Sequence, residues 1–206
     1  MGRMRLHGGA LPSKAPQGIP LPGRPPELTT RRLVLRGLRL DDAARIQKLA
    51  GERAIAENTL LIPHPYKDGM AERWIRAQKD QFLKGREIIF AIVPRRGKRL
   101  IGVVGLVLTE KHSRGELGYW IGKPYWNRGY ATEAAEAVLR YGFETLELNR
   151  IWAAHFGRNP ASGRVLAKIG MSCEGTRRQH VAKWGKFEDL VGYGMLRSEF
   201  EARSGC

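Results

Sequence analysis

The sequence predicts an α/β fold with a mixed sheet flanked by helices, and two observations carry this prediction. First, apolar runs at Ile88–Val93 and Leu100–Leu108 are joined by a short basic turn that contains glycine, a pattern typical of an antiparallel strand pair. Second, strand and helix patterns alternate from residue 115 to residue 196, which favours crossover connections within the same sheet. Hairpins thus come first in the chain and crossovers later, and a sheet built in this order is mixed.

Upstream of the strand pair, the patterns predict one short strand and two helices. The strand is predicted at Leu33–Leu35, and the first helix ends near Ala50, with Asp41 and Asp42 placed to cap its first amide groups. The second helix is predicted over Met70–Lys84. Its apolar face is predicted to hold Trp74, Ala77 or Gln78, and Phe82.

Downstream of the pair, the element boundaries are marked more sharply. The predicted elements, in order, are a strand at Gly115–Ile121, a helix at Ala131–Leu146, a strand at Arg150–Phe156, a helix at Pro160–Ile169 and a closing strand at Leu190–Leu196. Asn159 is a suitable N-cap for the later helix, Pro160 suits its first position and Gly170 ends it. In the earlier helix, alanines on the first turns of the apolar stripe allow close approach to the sheet.

The chain is strongly basic. Its 206 residues include 36 Lys plus Arg against 20 Asp plus Glu, a formal net charge of +16. Such a charge favours anionic partners: nucleic acid, a ribosome, an acidic membrane face or a phosphorylated cofactor. The alternative is a solvated basic surface without a selected partner, because the basic residues form no single cluster. Charge alone therefore leaves both interpretations open.

Composition divides the chain into three parts. Residues 1–27 form a basic arm rich in proline and glycine, residues 28–200 form the domain with a core, and residues 201–206 form a short tail. The arm lacks the apolar stretch of a secretory signal, and no run of 18 apolar residues occurs that would span a membrane. Cys173 and Cys206 lie far apart and the histidines are scattered, so we expect neither a disulfide framework nor a metal site. A reducing cytoplasm is the expected location.

A glycine turn leads directly into the helix at Ala131–Leu146. The first amide groups of a helix have no internal partner, and the aligned peptide dipoles place about half a positive charge there. Gly129 allows close approach and positive φ, and Arg128 adds a full charge. Strand, turn and helix start together predict a phosphate cradle, with an ordinary strand-to-helix connection as the alternative. The sequence contains no P-loop motif, and the GYG segment at 192–194 lacks the third glycine of a dinucleotide fingerprint.

Two segments resemble cofactor motifs of the GNAT superfamily of N-acetyltransferases. The acetyl-CoA motif of that family is similar to ELGYWIGKPYWNRGYATEA at 116–134, and its second cofactor motif is similar to NPASGRVLAKIGM at 159–171. One branch, the ribosomal-protein N-acetyltransferases of the RimJ/RimL type, has opening and closing segments that resemble TTRRLVLRGLRLDDAARI at 29–46 and CEGTRRQHVAKWGKFEDLVGYGML at 173–196. The resemblance covers about residues 28–200 and keeps the motifs in the order of the family.

This resemblance implies a GNAT-type fold, a twisted mixed sheet that splays open between the strands at 115–121 and 150–156, with acetyl-CoA as cosubstrate in the resulting V. The pyrophosphate of the cosubstrate would bind main-chain amides of Asn127, Arg128, Gly129, Tyr130, Ala131 and Thr132. The pantetheine arm would pair with the strand edge at Tyr119, Trp120 and Ile121. Asn159 would contact the pantetheine from the far side of the V, and Ser162 would face the thioester sulfur.

Two positions depart from the family pattern. Trp126 stands where the cofactor motif often begins with Gln or Arg, which leaves the expected cosubstrate binding in place. Leu166 stands where many members carry a tyrosine as general acid, and leucine cannot donate a proton. Protonation of the leaving thiolate is then left to Ser162, to a water molecule or to no protein group.

Glu116 is the expected general base, because members of the family often place a glutamate on this strand near the splay. Strand alternation puts it on the same face as Trp120, and partial burial would raise its pKa. The alternative is a glutamate in solvent or paired with an arginine such as Arg114. A strand amide near Ile121 would donate to the oxyanion of the reaction.

Other titratable or nucleophilic groups fit a catalytic role less well. His155, on the strand beside the V, is more typical of a hydrogen-bonded core histidine, and Cys173 has no adjacent histidine that would activate it as an acyl carrier. His64, Tyr66 and Trp74 fall in the region that shapes the acceptor pocket in this fold, although packing explains them equally well.

Together, the residues and the resemblance predict an acetyl-CoA-dependent N-acetyltransferase that acts on a primary amine by direct attack in a ternary complex. The branch implies a protein N-terminal α-amine, on a ribosomal protein in particular, and the positive charge fits association with a ribosome. A small-molecule amine is the alternative acceptor. A non-catalytic RNA- or ribosome-associated binding module is the alternative from another class and depends on the charge alone. We expect a monomer or homodimer and no membrane partner.

Overall fold

The structure is a computed structural model that describes residues 23–204. Most of the expected arm and the last two residues of the expected tail lie outside this range. Within it, eight strands form one sheet in the order β1-β2-β3-β4-β5-β6-β8-β7. The strands are β1 (Leu28–Thr29), β2 (Leu33–Gly37), β3 (Glu87–Pro94), β4 (Gly102–Thr109), β5 (Arg114–Ile121), β6 (Arg150–Phe156), β7 (Ser172–Lys183) and β8 (Lys186–Leu196). The helices are α1 (Ala43–Ala50), α2 (Arg53–Ala56), α3 (Met70–Leu83), α4 (Tyr130–Glu144), α5 (Pro160–Lys168) and α6 (Arg197–Ser204).

The sheet is mixed, as predicted. Neighbouring strands are antiparallel except for β5 and β6, which run parallel. The predicted hairpin of β3 and β4 is confirmed, with Phe90 opposite Val104 near its middle. The parallel pairing is short, because it joins Arg114–Glu116 to Arg150–Trp152 and then stops. Beyond Glu116 the two strands separate, so the expected opening in the sheet is present.

Helix α4 covers one face of the central strands. Its buried residues are Ala134, Ala135, Val138, Leu139, Tyr141, Gly142 and Phe143. A Cβ atom on Gly142 would lie only 2.6 Å from Cδ1 of Ile151, so a larger residue here would displace the Ile151 side chain where α4 approaches β6. The small residues of the stripe thus set the depth at which α4 packs, as the sequence predicts. Helix α5 packs beside α4 and contributes Leu166 to the same core.

Helices α1 and α3 cover the opposite face with a smaller core. Ile46 and Leu49 of α1 and Ile75 of α3 pack there with Val103 of β4. A Cβ atom on Gly122 would lie 2.8 Å from Cδ2 of Leu49, so α1 also packs closely against the chain that leaves β5. Apolar residues are therefore buried on both faces of the strands on the β5 side of the gap, whereas none of the described residues of β6, β7 or β8 belongs to the smaller core.

The predicted apolar face of α3 is only partly right. Ala71 and Phe82 are buried, whereas Ala77 is exposed and Trp74 is only half-buried. The bulky indole and the adjacent positions suggested a stripe centred on Trp74, but the helix turns Ile75 toward the sheet instead. Trp74 consequently lies at the margin of the smaller core, where a large ring does not have to fit between two layers.

The C-terminal part of the chain is more extended than predicted. The single closing strand is one arm of the hairpin β7–β8, whose tip is formed by Trp184 and Gly185 with positive φ angles of 51° and 76°. Two successive residues of positive φ make the type of turn that matches the twist of a hairpin. Strand β7 gives no alternating signal because most of its side chains are exposed. Helix α6 was not predicted either, and it runs through residue 200, the expected end of the domain.

Asp42 does not cap α1 as predicted. Its carboxylate binds the guanidinium of Arg36 at 2.8 and 2.9 Å and accepts the main-chain N–H of Arg39 at 2.8 Å. No side-chain hydrogen bond caps α1 at this residue. A short 3₁₀ turn at Leu40–Asp42 precedes the helix and takes the place that the two aspartates suggested for the cap.

Candidate active site

The separation of β5 from β6 leaves the C-terminal half of β5 with an open main-chain edge. The N–H of Gly122 donates to the carbonyl of Ile101 at 2.8 Å. Because hydrogen-bonded pairs alternate along an antiparallel ladder, Trp120 also bonds to β4, whereas Tyr119 and Ile121 turn their main-chain groups toward the gap. The expected pairing of Trp120 with a pantetheine arm is therefore corrected. The edge available for pairing consists of Tyr119 and Ile121.

Trp126 ties the following loop to the end of this edge. Its indole Nε1 donates to the carbonyl of Ile121 at 2.6 Å. The side chain is 40% exposed, so the hydrogen bond rather than burial holds the indole in place. The departure from the family pattern at this position has a structural role, and the N–H of Ile121 remains directed toward the gap.

The loop between β5 and α4 presents a row of unused main-chain donors. Within residues 23–204, no acceptor takes the N–H of any residue from Asn127 to Thr132. Asn127 and Gly129 have positive φ angles of 58° and 73°, and both are exposed. Residues with left-handed backbone angles alternate here with residues of ordinary φ, so that successive main-chain N–H groups point into one concavity. The dipole of α4 adds positive charge at the same place. The predicted residues are thus adjacent in a geometry that fits a pyrophosphate.

Sequence reasoning missed the contact that holds this loop. Arg32, in the turn between β1 and β2, donates from Nη1 to the carbonyl of Arg128 at 2.9 Å. Its Nε donates to Oε2 of Glu133 at 2.6 Å, and its guanidinium carbon lies 4.8 Å from the centre of the Tyr130 ring. Oε1 of Glu133 also accepts from the Thr30 hydroxyl at 2.7 Å. The start of α4 is thereby tied to the first hairpin of the sheet.

Glu133 stays ionised in this network. Burial alone would raise its pKa, but the hydrogen bonds from Thr30 and Arg32 together outweigh burial and lower that pKa. An uncompensated carboxylate in the first turn of α4 would repel an anion at the helix start, and Arg32 supplies the compensating charge. No local pattern marks this relationship, because Arg32 and Glu133 lie 101 residues apart.

Asn159 and Ser162 lie across the gap from β5, at the start of α5. Asn159 is the N-cap, as predicted, and its Oδ1 accepts from the N–H of Ser162 at 3.4 Å. The hydroxyl of Ser162 lies 2.8 Å from that of Tyr119 on β5. Leu166, at the position of the family's tyrosine, is 1% exposed and lies in the core beneath α5. The structure therefore puts a hydroxyl pair, rather than a single tyrosine, on this side of the gap.

Glu116 lies where the two central strands part, since it is the last residue of β5 in the parallel pairing. Its half-buried carboxylate makes no hydrogen bond or ion pair with any residue in the described range. Burial raises its pKa, while the nearby charges of Arg177 and Arg114 oppose the change with smaller effects. Glu116 forms no ion pair with Arg114, which was the alternative to a catalytic role. A carboxylate with free oxygens and a raised pKa is suited to accept a proton.

Of the two other candidate groups, His155 lies in the interior and Cys173 lies at the surface. His155 is buried, with Nδ1 2.8 Å from the carbonyl of Phe156 and its ring 5.7 Å from that of Tyr193. Cys173 is exposed on β7, the outermost strand. Within residues 23–204, no group of three or more His, Cys, Asp or Glu side chains is arranged to hold a metal ion. No helix in the same range is long and apolar enough to cross a membrane.

The segment between α2 and α3 is held against the β7–β8 hairpin. The buried Lys183 donates from Nζ to the carbonyls of Leu60 and Ile62 at 3.0 and 2.9 Å. His64 packs beside Trp184 at the tip of the hairpin, with ring centres 6.0 Å apart. This segment thus forms a wall between the smaller core and the hairpin. Sequence reasoning placed the segment near the acceptor but found none of the contacts that fix it.

Tyr66 and Trp74, the remaining candidates for the acceptor pocket, are partly buried. Both pack against the smaller core together with Trp120 of β5. Burial raises the pKa of Tyr66, and the charge of Glu72 raises it further. Packing against the smaller core therefore explains much of why these rings lie where they do. Their exposed parts lie on the same side of the sheet as Glu116.

A model of the acetyltransferase (GNAT) domain matches residues 32–172, more than half of the chain. The chain belongs to the GNAT acetyltransferase family. The matched range contains Arg32, the loop before α4 and both arms of the gap, so the free amides and the open edge of β5 are parts of a GNAT domain.

Similar proteins agree with this assignment of the GNAT chain. The ribosomal protein uS5-alanine N-acetyltransferase of Escherichia coli (strain K12) is 30% identical over 175 residues, which cover 80% of this chain and 87% of that protein. The N-acetyltransferase p20 of Bacillus licheniformis is 29% identical over 175 residues, 84% of this chain and 97% of that protein. Among solved structures, the ribosomal L7/L12 α-N-protein acetyltransferase RimL in complex with coenzyme A has a TM-score of 0.76 at 13% identity and covers 84% of this chain and 99% of its own. That likeness shows the GNAT fold.

Proposed function

We propose that this GNAT acetyltransferase transfers the acetyl group of acetyl-CoA to the α-amine at the N-terminus of a protein, with both substrates bound at once. The observation that carries the proposal is the row of free amide donors at Asn127–Thr132, placed at the gap between β5 and β6. When bound, acetyl-CoA supplies an acetyl thioester. The binding, orientation and proton transfer are carried out by residues of the chain.

The loop and the two arms of the gap each hold one part of the cosubstrate. The amides at Asn127–Thr132 bind the diphosphate, and Arg32 keeps Glu133 from repelling it. The open edge at Tyr119 and Ile121 pairs with the amide-containing pantetheine arm as a neighbouring strand would. The coenzyme A complex of RimL, which has the same fold, supports this choice of cosubstrate.

Glu116 accepts the proton of the attacking amine. Its raised pKa brings its basicity nearer to neutral pH, where a general base is most effective. Gly118 is the next residue on the same face of β5, and a Cβ atom there would meet no atom within 4 Å. The acceptor therefore has open space between Glu116 and Trp120. The N–H of Ile121 lies five residues along β5 from Glu116, about 16 Å in an extended strand, which is too far to donate to an acetyl group that an amine at Glu116 attacks, so this N–H pairs with the pantetheine arm instead.

A protein amine is the acceptor class that the relatives support best. The relative from Escherichia coli is named for an alanine of ribosomal protein uS5, and it matches 80% of this chain. We extend the proposal to a ribosomal protein as the source of the N-terminus and to association with the ribosome, which the net charge of +16 would favour. The acceptor would lie on the Glu116 face, beside the wall that the α2–α3 segment and the β7–β8 hairpin form together.

A matched pair of variants tests the cosubstrate site. Gly129→Asp places a carboxylate in the cradle, whereas Gly129→Asn has the same size and the same strain at positive φ without the charge. We expect calorimetry to show coenzyme A binding about tenfold weaker for the Asp variant than for the Asn variant. Equal affinities would exclude the cradle as the diphosphate site, and absence of binding by the folded wild-type chain at millimolar coenzyme A would overturn the proposal.

A product assay tests the acceptor. Thiol release from acetyl-CoA is measured with peptides that have a free N-terminus, with the same peptides blocked at the N-terminus, and with small amines. We expect turnover only with the free peptides, and mass spectrometry should place the added acetyl group on the α-amine. Turnover with small amines alone would replace the protein acceptor by a small-molecule one and leave the acetyltransferase activity in place.

A further inference from the structure

A cleft lies beside Glu116 on the face of the sheet that α4 does not cover. Its walls are Arg114, Arg150, Trp152, Glu174, Arg177 and Tyr193, with Gly192 in the floor. Trp152 is paired with Glu116 across β5 and β6, so their side chains lie next to each other on the same face. A Cβ atom on Gly192 would meet only the carbonyl of Gly175, at 3.8 Å, so the floor is open.

Two arginines of this cleft have no acidic partner. Arg150 is paired with Glu174, and this pair lies over Gly194, where a Cβ atom would be 2.3 Å from Oε1 of Glu174. Arg114 and Arg177 make no ion pair with any residue of the described range. Both act electrostatically on Glu116, and Nη1 of Arg177 donates to Nε2 of His180 at 3.4 Å, so within the described residues one unpaired carboxylate lies beside two guanidinium groups that have no carboxylate partner.

The Arg177 guanidinium contacts the ring of Trp152 and, through Nη1, the side chain of His180. Its guanidinium carbon lies 6.0 Å from the centre of the Trp152 ring. A guanidinium held over an indole keeps its planar donors directed outward and loses little freedom when it binds a carboxylate at two points. The cleft thus contains a prepared carboxylate-binding group next to the expected base.

We propose that this cleft binds an acidic side chain of the acceptor, at the second or third position of its chain, through Arg177 and Arg114. The inference rests on the proposed function, since it takes the reacting α-amine to lie at Glu116. Arg114 and Glu116 are two residues apart on one face of β5, a spacing of about 7 Å. In an extended peptide, a similar distance separates the α-amine from an acidic side chain one or two residues later.

The mixture of charges favours a single carboxylate over a nucleic acid. A phosphate backbone would also bind two arginines, but it would bring further negative charges toward Glu116 and Glu174. A peptide that begins with an ammonium group and continues with one carboxylate matches the pattern of Glu116 beside Arg114 and Arg177. The cleft therefore selects among acceptors, in addition to admitting them.

Kinetics with peptides that differ at the second residue test this inference on the full chain. The peptides begin Ala-Glu, Ala-Gln or Ala-Lys and are otherwise the same, and thiol release gives kcat/KM for each. We expect the Glu peptide to exceed the Gln peptide by about five- to tenfold, and the Lys peptide to be poorest. A second set of peptides has the acidic residue at the third position. It identifies at which of the two positions the cleft binds an acidic side chain.

Substitutions then assign the preference to the arginines. In Arg177→Gln the ratio of Glu to Gln peptide should fall to about two or less, and Arg177→Glu should favour the Lys peptide. Arg114→Gln gives an independent reduction of the same ratio. The control is Arg140→Gln, a residue on the exposed side of α4, which should keep the wild-type ratio.

The outcomes separate this inference from the proposed function. Equal kcat/KM for all the peptides, with normal turnover, would overturn the acidic subsite and leave the acetyltransferase intact. A preference that survives in both arginine variants would also overturn it. Absence of turnover with every peptide would overturn the protein acceptor and the subsite together. RNA that competes with the Glu peptide in the wild type, but not in Arg177→Gln, would assign the cleft to nucleic acid instead.

Discussion

The hydroxyl oxygens of Tyr119 and Ser162 lie 2.8 Å apart, so a hydrogen bond joins β5 to α5 across the gap in the sheet. The Tyr119 hydroxyl also donates to the main-chain carbonyl of Ser162 at 3.0 Å. Burial raises the pKa of Tyr119 to about 12, against a smaller opposing effect of the hydrogen bond with Ser162. The phenol is therefore protonated throughout the neutral range and remains a donor. This bond fixes the spacing of the two arms on the α5 side.

Tyr119→Phe should lower the free energy of unfolding by about 1–2 kcal/mol, because Ser162 loses a buried partner while the ring is kept. Urea denaturation followed by circular dichroism measures the change. The control is Tyr141→Phe, since the Tyr141 hydroxyl is buried without a hydrogen-bond partner in the described range. Its removal should leave stability unchanged or slightly higher. Equal losses in the two variants would contradict the role assigned to the bond between Tyr119 and Ser162.

Glu116→Gln should lower kcat by about 10²- to 10⁴-fold and leave coenzyme A affinity unchanged, because the variant lacks the base but keeps the loop before α4. The base works only when ionised, so wild-type activity should fall as the pH drops through its pKa. Burial raises that pKa, and the acidic limb should therefore lie above the ordinary value of 4.5. The measurement is the pH dependence of kcat, compared with that of Glu116→Gln.

The neighbours of Glu116 provide a check on this assignment. Arg177 and Arg114 both lower its pKa, so Arg177→Gln should move the acidic limb to still higher pH. An acidic limb that stays in place in Arg177→Gln, and a profile of the same shape in Glu116→Gln, would remove Glu116 from the proton transfer.

Arg32→Ala should weaken coenzyme A binding by about three- to tenfold, because Glu133 loses its compensating charge and the carbonyl of Arg128 loses its donor. Arg32→Lys should restore little, since an ammonium group cannot reach both acceptors in the same geometry. The exposed neighbour Arg31 provides the control, and Arg31→Ala should bind normally. Calorimetry measures the affinities, and equal weakening in the two alanine variants would show a general effect of charge.

The same network should make stability depend on pH. The pKa of Glu133 is lower in the folded chain than its ordinary value, so its contribution is fully present above the unfolded pKa and is lost as the pH falls through the folded pKa. The difference in unfolding free energy between wild type and Glu133→Gln should consequently shrink in acid. Denaturation curves at neutral and acidic pH measure it, and a difference that is constant with pH would contradict the ionised state of Glu133.

The sequence predicts those features of the site that are encoded within a few residues. The start of α5 follows from Asn159 and Pro160, and its end from Gly170, which lie at or next to the ends of the helix on which they act. The turn before α4 follows from Gly129 in the same way. The short parallel pairing that opens the gap is not visible locally and came from the resemblance to the family.

Contacts between distant parts of the chain could not be predicted. In the sequence, Glu133 resembles any acidic residue in the first turn of a helix. Its partner Arg32 lies 101 residues away, so their contact is visible only in the folded chain. The hairpin β7–β8 could not be predicted because β7 is exposed along most of its length. Burial therefore imposes no alternation of apolar and polar residues on its sequence. The stripe of α3 was misjudged because a large aromatic residue at the margin of a core gives the same sequence signal as one at its centre.

The last prediction concerns Lys183, whose buried ammonium group donates to the carbonyls of Leu60 and Ile62. Lys183→Met fills a similar space but leaves both carbonyls without a donor, which should loosen the segment between α2 and α3. We expect KM for a peptide acceptor to rise by about three- to tenfold while coenzyme A affinity stays unchanged, because within the described residues no hydrogen bond joins residues 57–66 to the loop at Asn127–Thr132.

Hydrogen exchange gives the second readout for Lys183→Met, and amides at residues 57–66 should exchange faster than in the wild type. Lys186→Met, at an exposed position beside the tip of the same hairpin, is the matched control and should change neither quantity. Faster exchange without a change in KM would show that the segment is tied down by Lys183 but does not form the acceptor wall. An unchanged exchange rate would show that the two hydrogen bonds contribute little to holding it.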